Sequence, residues 1–135
     1  MVATGCETVP LRSGEDVVMA RQVVRRWALE TGFSLVDQTK VITAASELAR
    51  NTVTHGAGGK LTIEGLQNGH RKGLRLIFED QGPGIPDVNR ALQDGYTTGT
   101  GLGLGLGGSK RLASEFEIRT QVGQGTQVIF TRWKG

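Results

Sequence analysis

The sequence predicts a two-layer α/β sandwich of the α+β kind, a mixed but mostly antiparallel sheet covered by helices on one face. Three observations carry this. Two long stretches of helical periodicity come first, and two pairs of alternating segments follow, each pair joined by a turn. Between those pairs stands a glycine-rich run over 97–108, holding six of the 21 glycines, that opens a further helix.

Residues 1–10 lack the basic and apolar regions of a signal peptide and are expected to be a mobile segment. Ser13-Gly14-Glu15-Asp16 reads as a helix N-cap with acidic residues in the first turn; Val17, Ala20, Val24 and Ala28 then recur at helical spacing, and Gly32 ends the helix. A second helix is predicted over 35–55, capped by Ser34 or Asp37, with Val41, Ala44, Ala45, Leu48 and Thr52 on its buried side and a glycine cluster over 56–59 as its stop. Segments 61–66 and 74–80 alternate as strands about a turn at 67–73, a hairpin in outline. Gln81-Gly82-Pro83-Gly84-Ile85-Pro86 fits neither helix nor strand, so a stiff, sharply turned loop closes the second strand. A short helix over 87–94 leads into the glycine run, helix-like sequence continues over 109–116, and strands over 117–122 and 126–133 flank a turn at Gly123-Gln124-Gly125.

At 135 residues the chain reads as one domain, 1–135, with the 37% hydrophobic and 21% charged composition of a globular protein. No apolar run approaches the roughly 20 residues of a membrane span, so a cytoplasmic protein with no membrane partner is expected. A net charge of +3 is too mild to argue for nucleic acid. Arg21, Arg25 and Arg26 lie near one side of the first helix and form a partial basic cluster. The single Cys6 can form no internal disulfide and fits a reducing compartment.

Glu47, Asn51 and His55 recur every four residues on the second helix, a stripe with neighbouring β-carbons roughly 5–6 Å apart. Such a stripe reads as a solvated face or as a functional one. The chemistry that suits it is metal and phosphate work: an Asn oxygen is a hard, neutral ligand for Mg²⁺ beside nucleotide phosphates, and a Glu one turn earlier can take a proton from a hydroxyl. Asp80 ends a strand before a stiff loop, which makes it either a turn-former or a fixed acceptor for an amino group such as that of adenine. The glycine run offers backbone amides to a phosphate.

Taken in order, Glu47-x-x-x-Asn51, Asp80-x-Gly82-x-Gly84, Gly101-x-Gly103-x-Gly105 and Gly125-Thr126 resemble the sequence boxes of the GHKL ATPase superfamily: gyrase, Hsp90-type chaperones, histidine kinases and MutL. The resemblance implies that superfamily's ATP-binding sandwich, the Bergerat type. It implies that Asn51 holds Mg²⁺, Asp80 reads the adenine amino group, and Gly82 and Gly84 let the backbone approach the base. Gly101, Gly103 and Gly105 would wrap the triphosphate, Thr126 would support the adenine site from the sheet, and Glu47 would be the general base for a serine hydroxyl. Cofactors would be ATP and Mg²⁺.

Within the superfamily, Ser46–Asn51, 79–87 and 101–106 are similar to the small bacterial serine kinases of sigma-factor partner switching, in particular the switch-kinase branch of the stressosome. That branch implies a serine/threonine kinase acting on STAS-domain antagonist and scaffold proteins, and then activating a metal-dependent protein phosphatase. The alternatives are an anti-sigma factor kinase that binds a sigma factor directly, and a nucleotide-bound interaction module without kinase activity. Histidine-kinase chemistry fits less well, since His55 and His70 are the only histidines and neither lies on a preceding helical segment.

Overall fold

Val17, Ala20, Val24 and Ala28, the positions singled out by helical spacing, are the buried residues of helix α1 (Gly14–Thr31). The computed structural model describes residues 2–85, 88, 92 and 105–135. Ser13 occupies the N-cap position of α1 without a side-chain cap bond; the Arg12 N–H instead reaches the Asp16 carboxylate at 2.8 Å. Gly32 closes the helix in the left-handed region, at φ 88°. Helix α2 (Leu35–Thr54) is capped by Ser34, whose hydroxyl accepts the Asp37 N–H at 3.2 Å. It buries Val41, Ala44, Ala45, Leu48 and Thr52 as expected, and also Glu47 and Ala49.

The sheet has five strands: β1 (Val2–Leu11), β2 (Gly59–Asn68), β3 (Arg71–Asp80), β4 (Glu115–Gln121) and β5 (Gly125–Trp133). Their order is β1-β2-β3-β5-β4, and every pairing among the described residues is antiparallel. Leu61, Ile63, Leu74, Leu76, Phe78, Val128 and Phe130 meet the buried sides of α1 and α2 in one core. Each such large side chain contributes on the order of 1.5–3 kcal/mol by leaving water.

The structure departs from three expectations. The segment over 1–10, read as mobile, is edge strand β1, paired with β2 from Val2 to Leu11 apart from a register shift between Ala3 and Gly5. The hairpin turn expected over 67–73 narrows to Gly69-His70, because Gly69 at φ 63° allows a two-residue loop and the strands run on to meet it. The helical stretch over 109–116 is shorter: helix α3 spans Gly105–Arg111, and Glu115 and Phe116 already pair with Thr131 and Phe130. The Ser114 N–H bonds to the Thr131 carbonyl at 2.8 Å, so the sheet ladder draws the chain out of the helix.

The short helix predicted over 87–94 lies mostly outside the described residues; the Leu92 N–H to Val88 carbonyl bond, 3.0 Å, has helical spacing. Gly101, Gly103 and the rest of 93–104 lie outside them as well.

Register lines up residues across all five strands. Val9, Leu61, Phe78, Val128 and Ile118 form one row of the core. Two residues along every strand, and therefore on the same helix-covered face, come Leu11, Gly59, Asp80, Thr126 and Thr120. That row ends the ladder at β1, β2 and β3, and beyond it Gln121 and Gly125 still pair.

Candidate active site

Asp80 sits at the middle of the end row, half-buried, and its carboxylate is held by the backbone. The Gly82 N–H donates to Oδ1 at 2.9 Å and the Thr126 N–H donates to the carboxylate from the neighbouring strand. Burial pushes the Asp80 carboxyl above its ordinary value of 3.8, and those two N–H groups pull against it.

Glycines make room for this carboxylate. A β-carbon on Gly56 would stand 2.4 Å from Asp80 Cγ, and one on Gly82 would stand 2.7 Å from Gly56 Cα. Gly56 is the residue that sequence reasoning passed over as a helix stop. Its N–H bonds to the Asn51 carbonyl at 3.2 Å, which brings the last turn of α2 against the Asp80 corner. Gly84 and Gly125 have φ of 79° and 96°, and side chains there would strike the Gln121 and Asp80 carbonyls. The loop over 81–85 is therefore packed tightly between the end of α2 and the β4–β5 turn.

That turn holds the loop in place. The Gly123 N–H donates to the Pro83 carbonyl at 2.8 Å, and the Ile85 N–H donates to the Thr120 hydroxyl at 2.9 Å. The Thr120 and Thr126 hydroxyls are 2.9 Å apart. Thr120 was not among the expected site residues; the signal that finds it is strand register, which sets it opposite Thr126.

On α2, Glu47 is only 4% exposed, and Arg50 Nη1 lies 3.1 Å from its Oε2. The carboxylate that Arg50 meets is thus on its own helix. Asn51 is half-buried one turn beyond Glu47, and its side chain has no hydrogen-bond partner among the described residues. His55, at the exposed end of the stripe, is the C-cap residue of α2. Gly105 is the first residue of α3, which packs against α2. The structure thus brings Asn51, Asp80, Gly82, Gly84 and Thr126 to one end of the sheet, with Glu47 one helical turn back.

The described residues fit a purine nucleotide. A carboxylate and a hydroxyl offer hydrogen-bond acceptors beside a backbone stripped of side chains, the surroundings a flat aminopurine ring requires. No group of three His, Cys, Asp or Glu side chains lies together among the described residues, and Asn51 offers a neutral side-chain oxygen of the kind that can ligate a divalent cation.

Away from this site, Val18, Arg21, Gln22, Arg25 and Ile42 line a groove of about 250 Å³ between α1 and α2. Arg26, expected to share that face, bonds instead to Glu7 on β1 and lies 3.9 Å from Glu30.

Residues 36–134 match the family model of histidine kinase-, DNA gyrase B- and HSP90-like ATPases. The serine/threonine-protein kinase RsbT of Bacillus subtilis (strain 168) is 47% identical over 118 residues, covering 87% of this chain and 89% of the relative. The anti-sigma F factor of Thermoanaerobacter sp. (strain X514) is 28% identical over 133 residues, 93% of this chain and 90% of the relative. Among solved structures, the RsbU and RsbW domains of a Mycobacterium tuberculosis protein superpose with a TM-score of 0.66 at 22% identity, over 98% of this chain and 34% of that one. The mycobacterial sensor histidine kinase MprB gives 0.56 at 19% identity, over 96% and 97%. These two likenesses bear on the fold.

Proposed function

The chain belongs to the family of histidine kinase-, DNA gyrase B- and HSP90-like ATPases, and from that premise we propose how its end-row site carries out protein phosphorylation in partner switching. It is an ATP-binding protein serine/threonine kinase of the partner-switching type. The finer assignments are our reading. Substrates are serine or threonine residues on STAS-domain antagonist and scaffold proteins of a stressosome, and the released kinase goes on to activate a metal-dependent phosphatase.

One observation supports the site assignment above others: a half-buried carboxylate fixed by two backbone N–H groups in a recess that glycines keep open. Asp80 accepts the adenine amino group there. Gly82 and Gly84 bring the backbone to the ring, Thr126 supports it from β5, and Gly101, Gly103 and Gly105 wrap the phosphates. Asn51 would hold Mg²⁺, and Mg-ATP, when bound, would supply the transferable phosphoryl group and offset its charge. Glu47 takes the proton of the acceptor hydroxyl, while Arg50 keeps the carboxylate in place.

Phosphorylation adds about −1.5 to −2 charge to the substrate's contact surface, which costs desolvation wherever that surface packs on apolar side chains. We place the partner on α1, where Arg21 and Arg25 flank the apolar groove. The relative named anti-sigma F factor supports a second reading, in which a sigma factor occupies that surface directly.

The test is transfer of label from the terminal phosphate of ATP, with Mg²⁺, to a purified STAS-domain protein of the same organism, beside an Asp80→Asn control. Acid-stable label on serine or threonine, absent from the control, is the expected result. Free phosphate alone, or ATP binding without transfer, would point to an ATPase or a nucleotide-bound interaction module. A sigma factor that competes with the STAS protein for the kinase would favour the second reading.

A further inference from the structure

The Thr120 hydroxyl has three polar neighbours and a single proton. It accepts the Ile85 N–H at 2.9 Å, lies 3.1 Å from the Gly125 carbonyl and 2.9 Å from the Thr126 hydroxyl. A carbonyl oxygen can only accept, so the proton that satisfies Gly125 comes from Thr120. Thr120 then has nothing left to donate to Thr126, and the close hydroxyl pair requires Thr126 to donate to Thr120. The outcome is an ordered chain: Thr126 donates to Thr120, which donates to Gly125, while Ile85 donates to Thr120 from the loop.

This order fixes what Thr126 offers the recess. With its proton committed sideways, its hydroxyl presents lone pairs only. Asp80, beside it in the row, accepts the Gly82 and Thr126 N–H groups, so its carboxylate oxygens also serve as acceptors there. From these observations we propose that Thr120 is a positioning residue for base selection. By ordering the Thr126 proton and anchoring the loop over 81–85 at Ile85, it makes the end of the recess acceptor-only. Such an end matches a 6-aminopurine, whose exocyclic nitrogen donates, and rejects a 6-oxopurine, whose oxygen meets two acceptors. Thr120 itself touches no ligand in this scheme. The inference rests on the assignment of the recess to the nucleotide base made above.

Equilibrium binding of ATP and of inosine triphosphate, which differ in amino against oxo at that position, tests the proposal on wild-type protein, Thr120→Val and Thr120→Ser. Valine keeps the branched shape and suits a strand but cannot accept from Ile85 or order Thr126. Wild type and Thr120→Ser are expected to prefer ATP, and Thr120→Val to lose about tenfold of that preference, with ATP affinity falling. A purely structural role would lower the melting temperature and weaken both nucleotides alike, leaving the ratio unmoved, and that result overturns the proposal. So does a serine variant as impaired as valine. Should Thr120→Val fail to fold, Thr120→Ala gives the same comparison without risk of overfilling. Failure of the wild-type protein to bind ATP at all would overturn the base-site assignment, a result the variants cannot mimic.

Discussion

Glu47 is a charged residue inside a helix interface, and a single residue in that position needs an account. Full burial of an unpaired carboxylate costs several kcal/mol, so it survives there because Arg50, one turn on and 43% exposed at its side chain, brings a cation to it at 3.1 Å from the wetter side. Among the described residues only Oε2 takes a bond, and in the proposed mechanism Oε1 is the atom that would meet the substrate hydroxyl. Glu47→Gln preserves shape and volume and removes the basic site. The expected outcome is phosphoryl transfer slowed by about 10²-fold, the low end for a general base because the transition state is loose, with ATP affinity within a factor of three of wild type. Single-turnover transfer and equilibrium ATP binding check it; an unchanged transfer rate removes the base role. The four-residue spacing of Glu47 and Asn51 made this stripe visible in sequence. The arginine's choice of partner was not visible, because three-residue spacing permits the pair without requiring it.

Strand β1 depends on α1 for its place at the edge of the sheet. Glu7 Oε1 accepts the Trp27 indole N–H at 2.8 Å and a bond from Arg26, and these hold its carboxyl below its ordinary 4.5, the indole contributing most. The indole also lies over Gly5 and Gly65, where a β-carbon would come within 3.6 and 3.2 Å of it. Trp27→Phe keeps an aromatic ring and loses the N–H. The expected cost is about 1 kcal/mol or less, since Glu7 is partly exposed, with faster hydrogen exchange of β1 amides and unchanged exchange in β3. Equal protection of β1 in both proteins would remove the indole from that role. This strand escaped the sequence reading for physical reasons. Gly5 and Pro10 weaken its pattern, and only Val9 and Leu11 are buried on it. Proline is tolerated because an edge strand leaves one side of its ladder unused. Helices α1 and α2 were legible by contrast, since each buries a full stripe and carries its stop signal within a few residues. What fixed the end row was register, and register is set by turn length: the two-residue turn at Gly69-His70 decides that Gly59, rather than a neighbour, faces Asp80.

Across the whole molecule, one ion pair ties together the start of α2, the end of α3 and the last strand. Arg132 on β5 donates to the Leu112 carbonyl just past α3 at 2.7 Å and to Asp37 in the first turn of α2 at 2.8 Å, a pair 95 residues apart in sequence. Both side chains are mostly buried, at 17% and 15% exposure. The pair closes the fold at the opposite end of α2 from Asn51, and it steadies α3, whose first residue lies within the glycine run. The Arg132 guanidinium holds the Asp37 carboxyl below its ordinary 3.8. A carboxyl depressed by folding contributes stability that is complete above its unfolded value and is lost as pH falls through the lower folded value. Asp37→Asn is therefore expected to lower unfolding free energy at pH 7 by about 2 kcal/mol, the scale of a charged hydrogen bond. The gap between variant and wild type should close as pH drops below 3.8. Urea unfolding across that range reads both. A gap that stayed constant into acid would mean that Asp37 acts through packing or its cap contact with Ser34, and that the charge on Arg132 is not what joins the two ends of the chain.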